Sequence, residues 1–276
     1  MDVTFYGVRG SCPCPCEENQ RYGGNTACVV LQAPGHVPIV LDLGTGLRRF
    51  AAGQPADGSF QATALVTHMH WDHVQGLPFF PPADRPGARF DVYGPPQGSG
   101  SFGAVFGELM RPPYFPVRSS DLRGSIDFHD VVDDDWVVGD AKIRVRPVPH
   151  VGPTVGYRVE WGAASVAYVS DHQAPRGLDH VADTVLELAD GVDLLIHDAQ
   201  YSAAEFAEKA HWGHCPVEYA VRVARLAGAR RLVLFHHDPA HSDQDVDALL
   251  AAAREHSAAT GGPDVDAAYE VQSITL

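Results

Sequence analysis

The chain has 276 residues with 35 acidic and 20 basic side chains, and its formal net charge is −15 at pH 7. Proteins that bind a long polyanion present Lys and Arg to its phosphates, so this composition argues against long nucleic acid as a partner. Hydrophobic content of 45% is typical of a globular protein, and no apolar run approaches the length of a membrane helix. The first ten residues lack the basic and apolar regions of a signal peptide. We therefore expect one domain over residues 1–276, in the cytoplasm and without membrane contact.

Apolar runs predict two series of strands. The first series lies near Val3–Phe5, Cys28–Leu31, Ile39–Asp42 and Ala62–Thr67, and a helix is predicted from Val74. The second series lies near Lys142–Val148, Val155–Trp161, Ser165–Val169, Leu194–Ile196 and Leu232–Phe235. It alternates with helices near Ala203–Lys209, Val217–Leu226 and Asp243–Ala259. Two sheets face to face with helices outside them, an α/β αββα four-layer sandwich, would result.

The segment Gly94–Phe128 separates the two series and is rich in glycine, proline and aromatic residues. It contains the run Pro112-Pro113-Tyr114-Phe115-Pro116, so it is too rich in proline to be one long helix. Its aromatic side chains could form a wall of a functional site. The alternative is an irregular surface excursion that packs its own aromatics together.

Three of the five cysteines alternate with proline in Cys12-Pro13-Cys14-Pro15-Cys16. The prolines hold this segment extended, so the thiols project from one side. Three thiolates with a nearby histidine could bind a structural metal ion. Because this spacing is not a standard zinc-binding pattern, free thiols in a reducing cytosol are the favoured interpretation. Cys28 lies in a predicted strand and is expected in the core.

The most informative feature is the run His68-Met69-His70-Trp71-Asp72-His73, which follows a predicted strand directly. His68 and His70 are two residues apart, so in an extended loop their side chains point the same way and can share one metal ion. Asp72 and His73 come as the chain turns into a helix, which directs them towards a second ion. Imidazole and carboxylate ligands suit Zn²⁺ and also tolerate Mn²⁺ or Fe²⁺.

Three later strands also end at a possible ligand: His150, Asp171 and His236. Each alone is a weak signal, because His and Asp at such positions are more often turn formers or helix caps. Together with the hexapeptide they complete two sites. His68, His70 and His150 would hold one metal, Asp72, His73 and His236 the other, and Asp171 would bridge both. His237 competes with His236, which is preferred because it leaves the strand first.

This order of residues, H-x-H-x-D-H followed by His, Asp and a final His, resembles the metallo-β-lactamase fold superfamily. A narrower resemblance is to the ribonuclease Z and phosphonate-pathway phosphodiesterase branch. The segments that carry it are Arg9-Gly10-Ser11, Arg21–Thr26, Leu41–Gly46, His197-Asp198-Ala199, Gly213-His214 and Leu234–Asp238. The resemblance implies that an acid and a Gly-His pair supply a catalytic histidine that is not a ligand, here Asp198 and His214. Ribonuclease Z usually has glutamate as the acid. Dimers are common in this branch, so a homodimer is possible.

These observations predict a metal-dependent phosphodiesterase with a small substrate such as a cyclic nucleotide or cyclic phosphate. A hydroxide that bridges two metals would attack phosphorus, and His214, Asp198 and Asp72 are the expected catalytic residues. By resemblance and position, Arg9, Arg21 and Asn25 are candidates for substrate contacts. Asp42 is expected to support the hexapeptide loop, and Tyr22 and Trp71 could stack on a base or simply pack.

Three alternatives remain open at this point. The same metal pair could hydrolyse a lactone, thioester or lactam. The protein could be a tRNA 3′-end endonuclease, although it lacks the long glycine-rich, basic insertion that ribonuclease Z uses to hold tRNA. It could also bind metal without catalysis, although the presence of all seven ligands argues against this.

Overall fold

Two seven-stranded mixed sheets lie face to face in the computed structural model, which describes residues 1–98 and 100–276. The strands are β1 (Asp2–Gly7), β2 (Cys28–Gln32), β3 (Ile39–Leu41), β4 (Gln61–Leu65), β5 (Arg89–Gly94), β6 (Ser125–Asp130), β7 (Asp134–Val138), β8 (Ala141–Pro147), β9 (Val155–Trp161), β10 (Ala164–Val169), β11 (Leu194–Asp198), β12 (Arg231–Phe235), β13 (Asp264–Ala267) and β14 (Ser273–Thr275). The helices are α1 (Leu47–Ala51), α2 (Trp71–Val74), α3 (Phe102–Leu109), α4 (Asp183–Ala189), α5 (Ala203–Lys209), α6 (Val217–Ala227) and α7 (Asp243–Thr260).

The sheets have matching topologies. The first has the order β14-β1-β2-β3-β4-β5-β6 and the second β13-β12-β11-β10-β9-β8-β7. In the first sheet, β3 to β6 run parallel; in the second, β10 to β13 do. The remaining pairs are antiparallel. Loops that follow parallel strands meet at one edge of a sheet, which is where open α/β folds place their functional side chains.

Three apolar layers hold the sandwich together. Phe5, Ile39, Tyr157 and Phe235 are fully buried in the layer between the sheets. Side chains of α1 and α3 cover the outer face of the first sheet, and α4, α6 and α7 cover the second. Because both faces of central strands are buried, these strands are apolar at successive positions rather than alternating. The observed αββα sandwich confirms the predicted fold class.

Both predicted strand series and the three later helices are present, but the helix predicted from Val74 is wrong. Instead α2 is a single turn that ends at Val74, followed by 3-10 turns at Leu77–Phe79 and Pro81–Ala83. Proline provides no backbone N–H for a longer helix. The segment Gly94–Phe128 contains the short helix α3, which sequence reasoning missed. Within residues 1–98 and 100–276, no helix is long and apolar enough to cross a membrane.

Candidate metal centre and active site

The predicted ligands converge at the edge where the parallel strands end. His68, His70, His150 and Asp171 form one group in which one ligand atom from each residue lies within 4.8 Å of the others. Asp72, His73 and His236 form a second such group. The hexapeptide, which runs from the loop after β4 into α2, therefore contributes to both groups.

Asp171 lies between the two groups and directs one carboxylate oxygen to each. Its Oδ1 is 3.2 Å from His73 Nε2 and 3.4 Å from His236 Nε2. Its Oδ2 is 3.7 Å from His68 Nε2 and 3.6 Å from His150 Nε2. Asp171 would therefore contribute one oxygen to an ion held by either group.

Each of three ligand imidazoles has its second nitrogen occupied by a hydrogen bond, which fixes the ring orientation. His73 Nδ1 bonds Asp42 Oδ2 at 2.8 Å. His150 Nδ1 donates to the carbonyl of Gly213 at 2.7 Å. His236 Nδ1 donates to Gln200 Oε1 at 2.9 Å. In each case Nε2 is left to face the centre.

The close approach of the backbone at position 213 to the ring of His150 requires glycine there. Its backbone has φ of +100°, and a Cβ there would lie 2.4 Å from Cε1 of His150. Only glycine can occupy this conformation at so close an approach to the ligand ring. The glycine carbonyl then orients His150, while the next residue, His214, enters the site.

The donor set fits divalent metal ions. His68 Nε2 is buried and has no hydrogen-bond partner among the described residues, while its Nδ1 lies 3.0 Å from Thr67 Oγ1. A buried nitrogen without a partner is costly unless a ligand such as a metal ion satisfies it. Burial lowers the pKa of His68, His70 and His150, and neighbouring imidazoles lower it further. These histidines therefore favour the neutral form that binds metal.

The two carboxylate ligands stay ionised despite their burial. Burial raises the pKa of Asp171, but the surrounding imidazoles hold that pKa well below its usual range. The same balance lowers the pKa of Asp72, which accepts a hydrogen bond from the backbone N–H of Ser11 at 2.7 Å. Both groups are thus in the form that a divalent cation requires.

His214 lies beside the metal ligands and is held by a carboxylate. Its Nδ1 bonds Asp198 Oδ2 at 2.7 Å, and its ring stacks on His236 with 4.9 Å between centroids. Asp198 is fully buried and also accepts the backbone N–H groups of His172 and Gln200. Burial lowers the pKa of His214, but Asp198 and the nearby ligand carboxylates raise it to about 9. With Nδ1 occupied by Asp198, Nε2 is the nitrogen available for proton transfer.

The site geometry and the family comparison agree. Residues 39–237 match the family described as "Beta-lactamase superfamily domain". The chain belongs to the metallo-β-lactamase superfamily. A protein named ribonuclease Z from Mycobacterium avium (strain 104) is 30% identical over 278 residues, which cover 92% of this chain and 92% of that protein.

Solved structures of the superfamily share the fold. YhfI, a metallo-β-lactamase fold protein from Bacillus subtilis, matches with a TM-score of 0.73 at 18% identity over 99% of this chain and 98% of its own. A diphosphatase from the PhnP family matches with a TM-score of 0.72 at 19% identity over 100% of this chain and 97% of its own. The relatives of this chain are named as hydrolases. The chain itself is a hydrolase of the metallo-β-lactamase superfamily.

The three candidate substrate contacts have partners within the protein. The Arg9 side chain is fully buried and donates to the backbone carbonyls of Gly23, Asp238 and His241. These contacts connect the loop between β1 and β2 to the loop after β12. These three bonds give Arg9 a structural role, and its part in substrate binding stays a prediction.

Arg21 and Asn25 are also engaged elsewhere. Arg21 forms a bidentate pair with Asp247 on the surface of α7, at 2.8 and 2.6 Å. Asn25 Nδ2 donates to Glu270 Oε1 at 3.0 Å. In the structure these two side chains bind partners on α7 and in the loop between β13 and β14.

Sequence reasoning missed Gln200 as a residue that orients a ligand. It is 2% exposed, and its Oε1 accepts from His236. Its position two residues after Asp198 was the available signal, because β11 runs parallel to β12 and both strands end at the same edge. Asp42, by contrast, was predicted to support the hexapeptide, and its oxygens also accept from Thr67 and Tyr168.

The cysteine-rich loop lies near the centre but not in it. Cys12 and Cys16 are exposed and Cys14 is half-buried. In the part of the chain that the structure describes, no metal-binding group includes a cysteine. His237 is also outside both groups, and its Nε2 bonds the carbonyl of Ala268 at 2.9 Å. His236 is the histidine that the structure directs to the metal ligands.

Proposed function

We propose that this protein is a phosphodiesterase that uses two divalent ions, Zn²⁺ by preference, to hydrolyse a small ester such as a cyclic nucleotide or cyclic phosphate. The observation that carries this proposal is the His214–Asp198 pair beside the metal ligands. Hydrolysis of a phosphate ester releases an alkoxide, and this leaving oxygen needs a proton as the P–O bond breaks. An imidazole held by a buried carboxylate is suited to donate that proton.

The position of each residue gives it a separate role in the proposed reaction. His68, His70 and His150 would hold one ion, Asp72, His73 and His236 the other, and Asp171 both. Two such ions supply an activated water and stabilise negative charge on phosphate oxygens. Asp198 holds His214 with Nε2 towards the substrate side. Asp42, Gln200 and the Gly213 carbonyl keep three ligand rings in place, so little reorganisation is needed when substrate binds.

The net charge of −15 supports a small substrate. Two divalent ions contribute four positive charges, of which Asp72 and Asp171 cancel half, so the local field can attract one phosphate within an acidic protein. The 30% identity to a protein named ribonuclease Z makes a tRNA 3′-end endonuclease the second candidate. RNA cleavage would then depend steeply on salt concentration. A cytoplasmic location and a homodimer stay predictions.

Turnover of a substrate panel tests the proposal. The metal-loaded protein is assayed with bis(p-nitrophenyl) phosphate, 3′,5′- and 2′,3′-cyclic nucleotides, a lactone, a β-lactam and a tRNA precursor, each with a chelator control. We expect chelator-sensitive cleavage of the small phosphodiesters. Cleavage of only the lactone or lactam would overturn the function, and preferential cleavage of the tRNA precursor would favour the second candidate.

The role of His214 is tested with a matched pair of variants. His214→Ala should keep both metals and slow turnover by roughly 10²-fold, the usual contribution of a general acid. His211→Ala changes an exposed histidine three residues away and should leave turnover unchanged. Full activity in His214→Ala would remove this histidine from the mechanism.

A further inference from the structure

An apolar cavity of about 640 Å³ lies beside the helical turn that carries two metal ligands. Trp71, Phe79 and Tyr114 line it, and these side chains are 66%, 61% and 72% exposed. Met110 and Phe106 are buried and also line the cavity. Large exposed aromatics gathered on one concave surface indicate a binding site rather than scattered surface residues.

The cavity and the metal centre share α2. Asp72 and His73 direct their side chains to the metal ligands, whereas Trp71 and Gln75, four residues apart on the same helical face, line the cavity. Trp71 stands between the ligands His70 and Asp72 in sequence. The same short helical turn therefore carries ligand side chains and a side chain of the cavity wall.

The lining favours a flat, uncharged ring. Phe79 and Phe115 meet edge to face with centroids 5.7 Å apart, which holds one aromatic wall in position. The cation in the lining, Arg111, is paired with Glu108, so it is not free for a second phosphate. A volume of this size lies within the range of small-molecule sites.

We propose that this cavity binds an aromatic ring carried by the phosphodiester substrate, such as a nucleobase, while the phosphate binds at the metals. The inference rests on the proposed function and deepens it by naming the substrate class. Stacking on Trp71, Phe79 and Tyr114 tolerates different rings, because every base has a π face. The enzyme therefore selects esters that bear a ring over those that do not.

Two measurements on the full-length chain test this. The first is binding of 2-naphthol to the metal-free protein, followed by ligand-observed NMR. The second is kcat/KM of the metal-loaded enzyme for adenosine 2′,3′-cyclic phosphate and for 1-O-methylribose 2,3-cyclic phosphate, which lacks the base. The variant is the double substitution Phe79→Ala with Tyr114→Ala, and the control is Val137→Ala, which removes an exposed apolar side chain from β7.

We expect naphthol to bind the wild type and the control, and the double variant to bind it at least tenfold more weakly. The kcat/KM for the nucleotide should fall roughly tenfold in the double variant and that for the abasic ester should not. Equal naphthol binding by all three proteins would overturn the inference. The inference would also be overturned if the double variant lost self-association but kept naphthol binding and nucleotide turnover. The cavity surface would then be an interface between copies of the chain. Naphthol binding without any phosphodiester turnover would remove the proposed function and leave the aromatic site standing.

Discussion

The two sheets contribute to the metal centre in different ways. The first sheet provides four of the seven ligands from one six-residue segment after β4, which ends in α2. The second sheet provides one ligand from each of three strand ends: His150 after β8, Asp171 after β10 and His236 after β12. The first contribution is local in sequence. The second exists only when the strands pair in the correct order.

The groups that orient the ligands show the same difference. In the first half, Asp42 leaves β3, the parallel neighbour of β4, and fixes His73. In the second half, His150 depends on the carbonyl of Gly213, 63 residues away, and His236 on the amide of Gln200, 36 residues away. A short motif can therefore indicate that a metal site exists, whereas long-range packing decides how well it binds.

The largest effect is expected where the two halves meet. Asp171→Asn keeps the size of the side chain but removes its charge and one of its two metal-facing oxygens. Because Asp171 faces both ligand groups, both ions should be lost together, with a fall in turnover of at least roughly 10³-fold. Metal content and kcat are measured on the same samples. Retention of one tightly bound ion would show that Asp171 belongs to one group alone.

The sequence predicted the seven ligands because four of them follow one strand within six residues and the remaining three follow later strands. Gln200 was missed despite its place two residues after Asp198, because its role depends on the pairing of β11 with β12. The sequence also could not reveal that the guanidinium of Arg9 donates to three backbone carbonyls. Ligand identity follows from residue chemistry, whereas the direction of a side chain follows from packing.

Asp42→Asn would test the orienting group of the first half. Asp42 is fully buried, and its oxygens accept from Thr67, His73 and Tyr168. An amide replaces one acceptor with a donor, so at least one partner loses its bond. We expect metal affinity to fall 10- to 100-fold and the free energy of unfolding of the metal-free protein to fall by about 1–3 kcal/mol. Competition with a zinc chelator and urea unfolding measure the two changes, and wild-type affinity in the variant would contradict this role.

Gln200→Ala would test the orienting group of the second half. His236 would lose its Nδ1 acceptor, so the ion held by Asp72, His73 and His236 should bind about tenfold more weakly while the other ion is retained. Gln200→Glu is the matched control, because a carboxylate oxygen can still accept from Nδ1 and should restore affinity. A chelator titration that resolves the two ions measures this. Equal weakening of both ions would mean that the halves are not independent.

The smallest effect is expected at His237, the neighbour of a ligand that binds no metal. Burial lowers the pKa of His237 to about 3, whereas in the unfolded chain the pKa is about 6.5. Between these values the unfolded state carries one more proton, so the free energy of unfolding falls as the pH is lowered, by at most about 1.4 kcal/mol per pH unit from this residue.

His237→Gln can still donate to the carbonyl of Ala268 but cannot titrate. The slope of its unfolding free energy from pH 6.5 to 5 should therefore be shallower. Urea unfolding of the metal-free proteins measures this slope, with His180→Gln as the control that removes an exposed histidine. Identical slopes in His237→Gln and the wild type would contradict this prediction. They would mean that His237 takes up a proton as readily in the folded, metal-free protein as in the unfolded chain.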